Sequence, residues 1–241
     1  MAGTSAKAFA GVVAASAASG VVPAAAQHAP PLRWAVEVEE LEYRLADGDD
    51  ALAWGADAFV GRDEWKLRLL SEGEFGLDDD AFEELENRLV IQRPVSDFFD
   101  AKAGIRLDTP DDYDQVYGVL GLQGLAPQWI EVDLDLFVSD DGDVSARLDA
   151  EYEILITNYL VLVPSLELDL PFDDDPDRNL AAGAPTLEIG ARLGYDLVDR
   201  AVAPYVGVFY ETAFGETADL ARAEGEDDDT LAAVFGVRLF F

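Results

Sequence analysis

Apolar and charged residues alternate along most of the chain after residue 33. In the segment "WIEVDLDLFVSDDGDVSARLDAEYEIL" (129–155), one set of alternate positions is aliphatic or aromatic, and the other is mostly acidic or arginine. A repeat of two residues is typical of a β-strand, whose side chains point to opposite faces in turn. The "SDDGD" between the two runs has the Asp-Gly chemistry of a hairpin turn. The segment is therefore predicted to be a β-hairpin with one apolar and one charged face.

The same alternation predicts twelve strands along the chain. A tilted transmembrane β-strand needs about 9–11 residues, and bacterial barrels have an even number of strands. The alternation is least clear in "VEVEELEY" (36–43) and in "FEELENRL" (82–89). The predicted strands are 36–45, 51–60, 65–75, 81–92, 98–108, 116–125, 129–138, 144–156, 160–170, 186–197, 203–212 and 230–241.

The connections between these strands alternate in length and charge. The odd-numbered connections contain 23 acids in 54 residues, whereas the even-numbered ones contain 4 acids in 20 residues. An up-and-down barrel sends alternate connections to opposite ends, with short periplasmic turns and longer external loops. One end is therefore predicted to be long and anionic, and the other short and nearly neutral.

Alternation alone leaves open which face points outward, because a soluble barrel has the opposite arrangement. A barrel of twelve strands is wider than the size that side chains fill, which is about eight strands. The chain also ends in "VFGVRLFF", an alternating strand with a terminal Phe241. Aromatic residues on the apolar face collect at the short-turn end, as in an interfacial girdle. They are Trp65, Phe99, Tyr152, Tyr195 and Phe241.

The first residues have the pattern of an export signal. A basic residue, Lys7, precedes an apolar run from 8 to 22 and the small residues of "PAAAQ". This pattern predicts a secretory signal peptide over 1–26. A short periplasmic segment over 27–34 and a barrel over 35–241 then follow. Together these features predict an all-β fold, a transmembrane up-and-down antiparallel β-barrel of about twelve strands in a bacterial outer membrane.

Composition limits the chemistry of this barrel. The formal net charge of −34 argues against a nucleic acid partner and is consistent with either cation handling or adaptation to high salt. The chain has no cysteine, one histidine (His28) and one methionine (Met1). Serine and aspartate hydrolases pair their catalytic residue with a histidine base, and His28 precedes the first strand. The sequence therefore predicts a protein that is not an enzyme.

The charged face of the strands is predicted to line the interior. Nine basic residues fall on this face, including Arg44, Arg88 and Arg238, and the acids there are more numerous. Lumenal cations are predicted at Lys66, Arg68, Lys102, Arg106, Arg147 and Arg192. The densest acidic group consists of Glu131, Asp133, Asp135, Asp149, Glu151 and Glu153. These acids either pair with arginines of neighbouring strands or hold a cation, and oxygen ligands alone suit calcium or magnesium better than copper.

Three stretches resemble the copper resistance protein B family of bacterial outer membranes. They are "EWKLRLLSEGE", "VLGLQGLAPQWIEVDLDLFVSDDGDVSARLDAEYEILIT" and "APYVGVFYETAFGETADLARAEGEDDDT" followed by "FGVRLFF". The resemblance covers 34–241 and implies a barrel that binds copper ions or conducts them across the outer membrane. Family members commonly carry a Met- and His-rich segment before the barrel, and here only His28 remains as a weak metal candidate.

Two other functions fit the same sequence. One is a cation-selective, porin-like diffusion channel without metal specificity. The other is a structural barrel whose acidic loops bind divalent cations that bridge lipopolysaccharide. The expected partners are outer-membrane lipid and lipopolysaccharide, the barrel insertion machinery through Phe241, and periplasmic copper proteins, with no nucleic acid among them.

Overall fold

Antiparallel strands occupy most of the chain between Arg33 and Phe240. The structure is a computed structural model that describes residues 31–46, 50–78, 80–111, 113–175, 178–225 and 227–241. The predicted signal peptide, Met1 and His28 lie outside these residues. The strands are β1 (Arg33–Leu45), β2 (Asp50–Gly61), β3 (Lys66–Gly76), β4 (Ala81–Pro94), β5 (Phe99–Asp108), β6 (Gln115–Ala126), β7 (Ile130–Ser139), β8 (Val144–Glu151), β9 (Ile154–Leu155), β10 (Leu160–Pro171), β11 (Thr186–Tyr195), β12 (Val202–Ala213) and β13 (Asp229–Phe240).

The strands close into a barrel in which each pairs with its neighbours along the chain. Strand β13 returns to pair with β1, and the backbone of Phe241 exchanges two hydrogen bonds with Val36, at 2.8 and 3.1 Å. Strands β8 and β9 continue one another along β10, so the barrel has twelve spanning segments. The predicted fold class is confirmed, and each predicted strand lies within three residues of its observed bounds.

The break between β8 and β9 has a local cause on the neighbouring strand. The register of β10 continues unchanged from Glu151 to Ile154. Tyr152 therefore lies opposite Pro164 and donates its N–H to the Pro164 carbonyl over 3.2 Å. Proline has no N–H to return a hydrogen bond to Tyr152. The ladder is interrupted at this pair.

Among the described strands, the pairing register shifts at two glutamate doublets. In β1, Val38 pairs with Ala56 and Glu40 pairs with Gly55, so Glu39 is one extra residue. In β4, the doublet Glu83–Glu84 contains the corresponding extra residue, because the paired residues on β3 are consecutive. Such a β-bulge changes which positions face inward. The two segments with the least clear alternation in the sequence are therefore the two bulged strands.

Side chains on the two faces of the barrel differ in exposure as the alternation predicts. On β3, Leu67 and Leu69 are 47% and 51% exposed on the outer face, whereas Arg68 between them is 9% exposed. Exposed aromatic residues form a girdle at the short-turn end and extend the predicted set. The additional members are Trp34, Trp129 and Tyr159.

The connections at the opposite end are longer and include one α-helix, α1 (Gly215–Glu224). Among the described residues, no helix is both long and apolar enough to cross a membrane. The loop 172–185 is held against α1 by Thr217, whose hydroxyl accepts from the Ala181 N–H and donates to the Ala184 carbonyl, both over 3.0 Å. Ala181, Ala184 and Thr217 are buried. The side chain of Thr217 therefore fastens the loop at Ala181 and at Ala184.

We expect Thr217→Val to release the loop 172–185. The substitution keeps the shape of the side chain but leaves a buried N–H and carbonyl without a partner, at a cost of about 1–3 kcal/mol. Arg178 is the only lysine or arginine in the loop, so trypsin cleavage after Arg178 in reconstituted liposomes is expected to accelerate. Thr217→Ser retains the hydroxyl and serves as the control. Equal cleavage of the two variants would mean that the Thr217 hydroxyl does not hold the loop.

The interior also contains apolar clusters that the charged alternation does not predict. Five buried residues on β3, β4, β6 and β7 contact one another inside one wall: Leu70, Val90, Tyr117, Val119 and Phe137. A second cluster on β12 and β13 comprises Tyr205, Phe209, Ala232 and Val234. These clusters fill part of the space that a twelve-stranded barrel would otherwise leave hollow. The space that stays open includes a cavity that Leu70 of the first cluster helps to line.

Candidate functional site

The open interior contains a central cavity of about 440 Å³. Fourteen acids and five arginines line it, so its lining carries a large surplus of negative charge. The arginines are Arg44, Arg68, Arg88, Arg147 and Arg178. The acids are Glu39, Glu40, Asp57, Glu72, Glu74, Glu84, Glu131, Asp133, Asp149, Glu151, Glu167, Asp169, Glu188 and Glu211.

One wall of the interior is organised around Glu86 on β4. Its carboxylate is 1% exposed and lies 2.7 Å from Arg88, 2.8 Å from Arg106 and 3.3 Å from Arg147. We call these four residues the Glu86 cluster. A buried carboxylate shared by three guanidiniums is stable because the opposite charges offset the desolvation that each would suffer alone. The cluster joins strands β4, β5 and β8.

Aromatic rings complete this wall beneath Arg106. The guanidinium carbon lies 4.9 Å from the ring centre of Tyr117 and 4.5 Å from that of Phe137. Arg106 also forms a bidentate pair with Asp108, at 2.7 and 2.6 Å. Cation–π contacts of this kind strengthen when the cation is removed from water. Arg106 is therefore fully engaged in the wall.

Lys102 and Arg88 bind the acids of β7. The Lys102 ammonium lies 2.6 Å from Asp133 and 2.8 Å from Asp135, and Arg88 lies 3.0 Å from Asp135. The carboxylate of Asp135 occupies the space above Gly121, its cross-strand partner, where a Cβ would come within about 2 Å of the Asp135 oxygen. Glycine is thus required at 121 for the carboxylate to reach Lys102.

The opposite wall is organised around Glu42 on β1. Its carboxylate accepts two hydrogen bonds of 3.1 Å from Arg192, one of 3.0 Å from Arg44 and one of 2.9 Å from the Tyr205 hydroxyl. We call these four residues the Glu42 cluster. Arg44 also stacks over the Phe209 ring at 4.7 Å. Both walls therefore combine a buried carboxylate, several arginines and an aromatic ring.

The six predicted lumenal cations all lie inside the barrel and all form ion pairs. Lys102, Arg106, Arg147 and Arg192 belong to the walls described above. Lys66 lies 3.3 Å from Asp100, and Arg68 pairs with Asp57. Arg147 additionally contacts Glu167 at 3.2 Å and Asp169 at 3.1 Å. Most of the interior basic charge is therefore neutralised within the walls.

Half of the acids that line the central cavity have no partner among the residues that the structure describes. Seven carboxylates form no hydrogen bond or ion pair with any other residue in the described part of the chain. They extend from the short-turn end of β7 and β8 to the long-loop end of β4, β11 and β12. We call them the unpaired carboxylates: Glu39, Glu84, Glu131, Asp149, Glu151, Glu188 and Glu211.

The six acids singled out on the hairpin are separated by the structure. Glu131 lies opposite Glu151 and Asp133 lies opposite Asp149, whereas Asp135 lies opposite Arg147. Glu131, Asp149 and Glu151 are unpaired, Asp133 and Asp135 are bound by Lys102, and Glu153 lies 3.7 Å from Arg238. The hairpin thus contributes both to the wall and to the cavity lining. Whether these residues bind metal stays a prediction.

The glutamate of the first bulge faces this hairpin across the lumen. Strands β1 and β8 are far apart around the barrel, yet the charges of Glu39 and Glu151 are close enough to interact. Asp57, Arg68, Gln123 and Glu131 line both the central cavity and a second cavity of about 470 Å³ at the short-turn end. Polar, largely acidic side chains therefore line the interior continuously towards that end.

Copper ligands of the usual kind are not found in the barrel. Between Leu32 and Phe241 the sequence has no histidine, cysteine or methionine. No three His, Cys, Asp or Glu side chains in the described ranges are grouped so as to hold a metal ion. Cu(I) prefers sulfur, and Cu(II) prefers imidazole together with oxygen. The donor groups of the barrel therefore do not fit a fixed copper centre.

A closed barrel with an apolar outer face, an aromatic girdle and a charged interior defines a transmembrane β-barrel of the outer-membrane class. Residues 32–241 match the family model described as copper resistance protein B precursor (CopB). The chain belongs to the copper resistance protein B family. It is an outer-membrane protein with a role in copper resistance, as the sequence resemblance predicted.

Two relatives and one solved structure place this assignment in context. A copper resistance protein B homolog of Pseudomonas syringae pv. tomato is 38% identical over 203 residues, which cover 84% of this chain and 68% of the relative. Copper resistance protein B of Escherichia coli is 33% identical over 225 residues, covering 93% and 75%. The NanC porin superposes with a TM-score of 0.55 at 13% identity, covering 85% and 98%. This last likeness concerns the fold alone.

Proposed function

We propose that this barrel conducts hydrated divalent copper along its acidic interior, and that it does so without catalysis. The observation that carries the proposal is the line of seven unpaired carboxylates in the central cavity. Fixed negative charges in a narrow, water-filled space raise the local concentration of cations and exclude anions. Membership of the copper resistance protein B family supports copper as the physiological ion that the barrel conducts.

The donor chemistry supports transit more than storage. Carboxylate oxygens without sulfur or imidazole hold Cu(II) weakly, and weak binding at several positions is what conduction requires. The absence of histidine from the barrel sequence also supports a role without catalysis, because no side chain there provides an imidazole base.

A second candidate is a cation-selective channel without metal specificity. The same lack of copper-type ligands favours it, because selection would then depend on charge alone. The two functions are distinguished by the growth of a deletion strain on copper and on other divalent metals. Loss of copper tolerance in a deletion strain, with unchanged tolerance to other divalent metals, would support the copper-specific function. Equal loss for several metals would support the general channel.

The charge mechanism is tested by removing unpaired carboxylates at the long-loop end. We expect the combined variant Glu84→Gln, Glu188→Gln and Glu211→Gln to lower the cation-to-anion permeability ratio in planar bilayers by roughly threefold or more. The ratio is obtained from reversal potentials in a potassium chloride gradient. The matched control removes three charges from exposed loop and helix positions that do not line the cavity: Asp140→Asn, Asp141→Asn and Glu216→Gln.

Two outcomes would contradict the proposed function. A wild-type barrel that shows no preference for cations would exclude an electrostatic path. A cavity variant that behaves like the loop control would mean that the unpaired carboxylates do not face the conducting space.

A further inference from the structure

Arg178 lines the central cavity although it belongs to a loop and not to a strand of the barrel. Of the residues that line this cavity in the described part of the chain, only Arg178 and Leu180 belong to a loop, and both lie in 172–185. The cavity lining at this end includes Thr186, Glu188 and Glu211, which lie at the long-loop ends of β11 and β12. The loop thus places one guanidinium at the outer end of the acidic path.

Hydrogen bonds on both sides of Arg178 hold it in this position. The backbones of Asp175 and Leu180 exchange hydrogen bonds of 2.8 and 2.9 Å, and the Asp175 carboxylate accepts from the Arg178 N–H over 3.2 Å. Asp175 is buried. On the other side, Ala181 is fastened to Thr217 of α1 as described above. The hydrogen bonds of the loop therefore fix the position of the Arg178 backbone.

Arg178 differs from the other four arginines of the cavity in its partners. Arg44, Arg68, Arg88 and Arg147 all pair with carboxylates of the barrel wall. The guanidinium of Arg178 forms no ion pair within the described ranges, although its charge is close enough to interact with those of Arg106 and Asp169. Arg178 therefore lines the same cavity as the unpaired carboxylates, and no ion pair within the described ranges neutralises its positive charge.

We propose that Arg178 is a tethered counter-ion that determines how readily divalent cations enter the acidic path. This inference rests on the proposed function, which it makes specific. A fixed positive charge repels a divalent ion twice as strongly as a monovalent ion at the same distance. Arg178 thus discriminates against divalent ions at the outer end, while the unpaired carboxylates attract cations along the rest of the path. The charge of the side chain at position 178 therefore sets the ratio of divalent to monovalent cation flux through the barrel.

The test compares the ion permeability of Arg178→Gln with that of Arg178→Lys in planar bilayers that separate solutions of potassium chloride and magnesium chloride. We expect Arg178→Gln to raise the permeability of Mg²⁺ relative to K⁺ roughly threefold, because one nearby charge is lost. Arg178→Lys keeps the charge and is expected to behave like the wild-type barrel. The matched control is Arg222→Gln, which removes the same charge at the same end.

Arg222 suits this control because it lies outside the cavity and is already paired. Its guanidinium lies 2.7 Å from both Asp219 and Asp228 and is half exposed. The hydrogen bond from Arg222 holds the pKa of Asp228 below its usual range. Loss of this charge is expected to leave the permeability ratio unchanged.

The outcomes separate this inference from the proposed function. If the wild-type barrel selects cations and Arg178→Gln has the wild-type ratio, the inference is wrong and the proposed function stands. If the wild-type barrel is not cation-selective, the proposed function fails. The role of Arg178 is then decided by calorimetric titration with magnesium chloride, where roughly threefold tighter binding to Arg178→Gln supports it and equal titrations overturn it.

Discussion

Glu86→Gln is expected to lower the free energy of unfolding by about 3–5 kcal/mol, because three buried guanidiniums lose the carboxylate that they share and are left close to one another. Three guanidiniums surround the Glu86 carboxylate within 3.3 Å. Glutamine keeps the shape of the side chain but removes the charge that all three share. The loss is measured by urea unfolding of the refolded barrel in lipid or detergent, followed by tryptophan fluorescence.

Glu84→Gln is the matched control for this prediction. Glu84 lies two residues earlier on the same strand and faces the same interior, but its carboxylate is unpaired and exposed. An exposed substitution without partners usually changes stability by less than about 0.5 kcal/mol. If both variants lose the same stability, the loss would follow from removing any carboxylate charge from β4. The ion pairs of the Glu86 cluster would then contribute nothing of their own to stability.

The contrast between Glu86 and Glu84 summarises how the interior divides its acids. Carboxylates of the Glu86 and Glu42 clusters are buried and shared among several arginines, so their charge is used to join strands. The unpaired carboxylates face water, so their charge remains available to mobile ions. One alternating sequence pattern therefore supplies two different physical roles. The role of each acid depends on whether an arginine reaches it.

The fold could be predicted from the sequence because lipid and water impose opposite demands on alternate positions. A strand such as β3 has to present Leu67 and Leu69 to lipid and Arg68 to the interior, and a shift of one residue would reverse all three. Where this demand was interrupted, the prediction was weakest. The doublets Glu39–Glu40 and Glu83–Glu84 each contain a bulge, and a period of two cannot continue through an extra residue.

The partners inside the barrel could not be predicted in the same way. Glu86 and Arg147 are 61 residues apart, and they meet only because the curved wall brings their strands together. Likewise, Tyr117 and Phe137 lie on the inward positions of β6 and β7, and only the closed barrel shows that they stack with Arg106. The inward position of Arg178 depends on the hydrogen bonds of a loop that has no repeating pattern.

Leu120→Arg is expected to lower the free energy of unfolding by about 2–4 kcal/mol if Leu120 faces the middle of the bilayer. Leu120 lies near the centre of β6, pairs with Ala103 and Leu136, and is 60% exposed on the outer face. An arginine there has to leave water or distort the bilayer. The measurement is urea unfolding from lipid vesicles, because detergent micelles do not reproduce the depth of a bilayer.

Val116→Arg tests whether this cost follows membrane depth. Val116 lies on the same face of the same strand but one residue from its long-loop end. Near an interface the cost of arginine falls to about 0–1 kcal/mol, since the side chain reaches the head groups. A large cost at 120 with a small cost at 116 would follow from an apolar face in contact with lipid. Equal small costs at both positions would mean that the outer face is in water, and the acidic interior would then need another explanation than an ion path across a membrane.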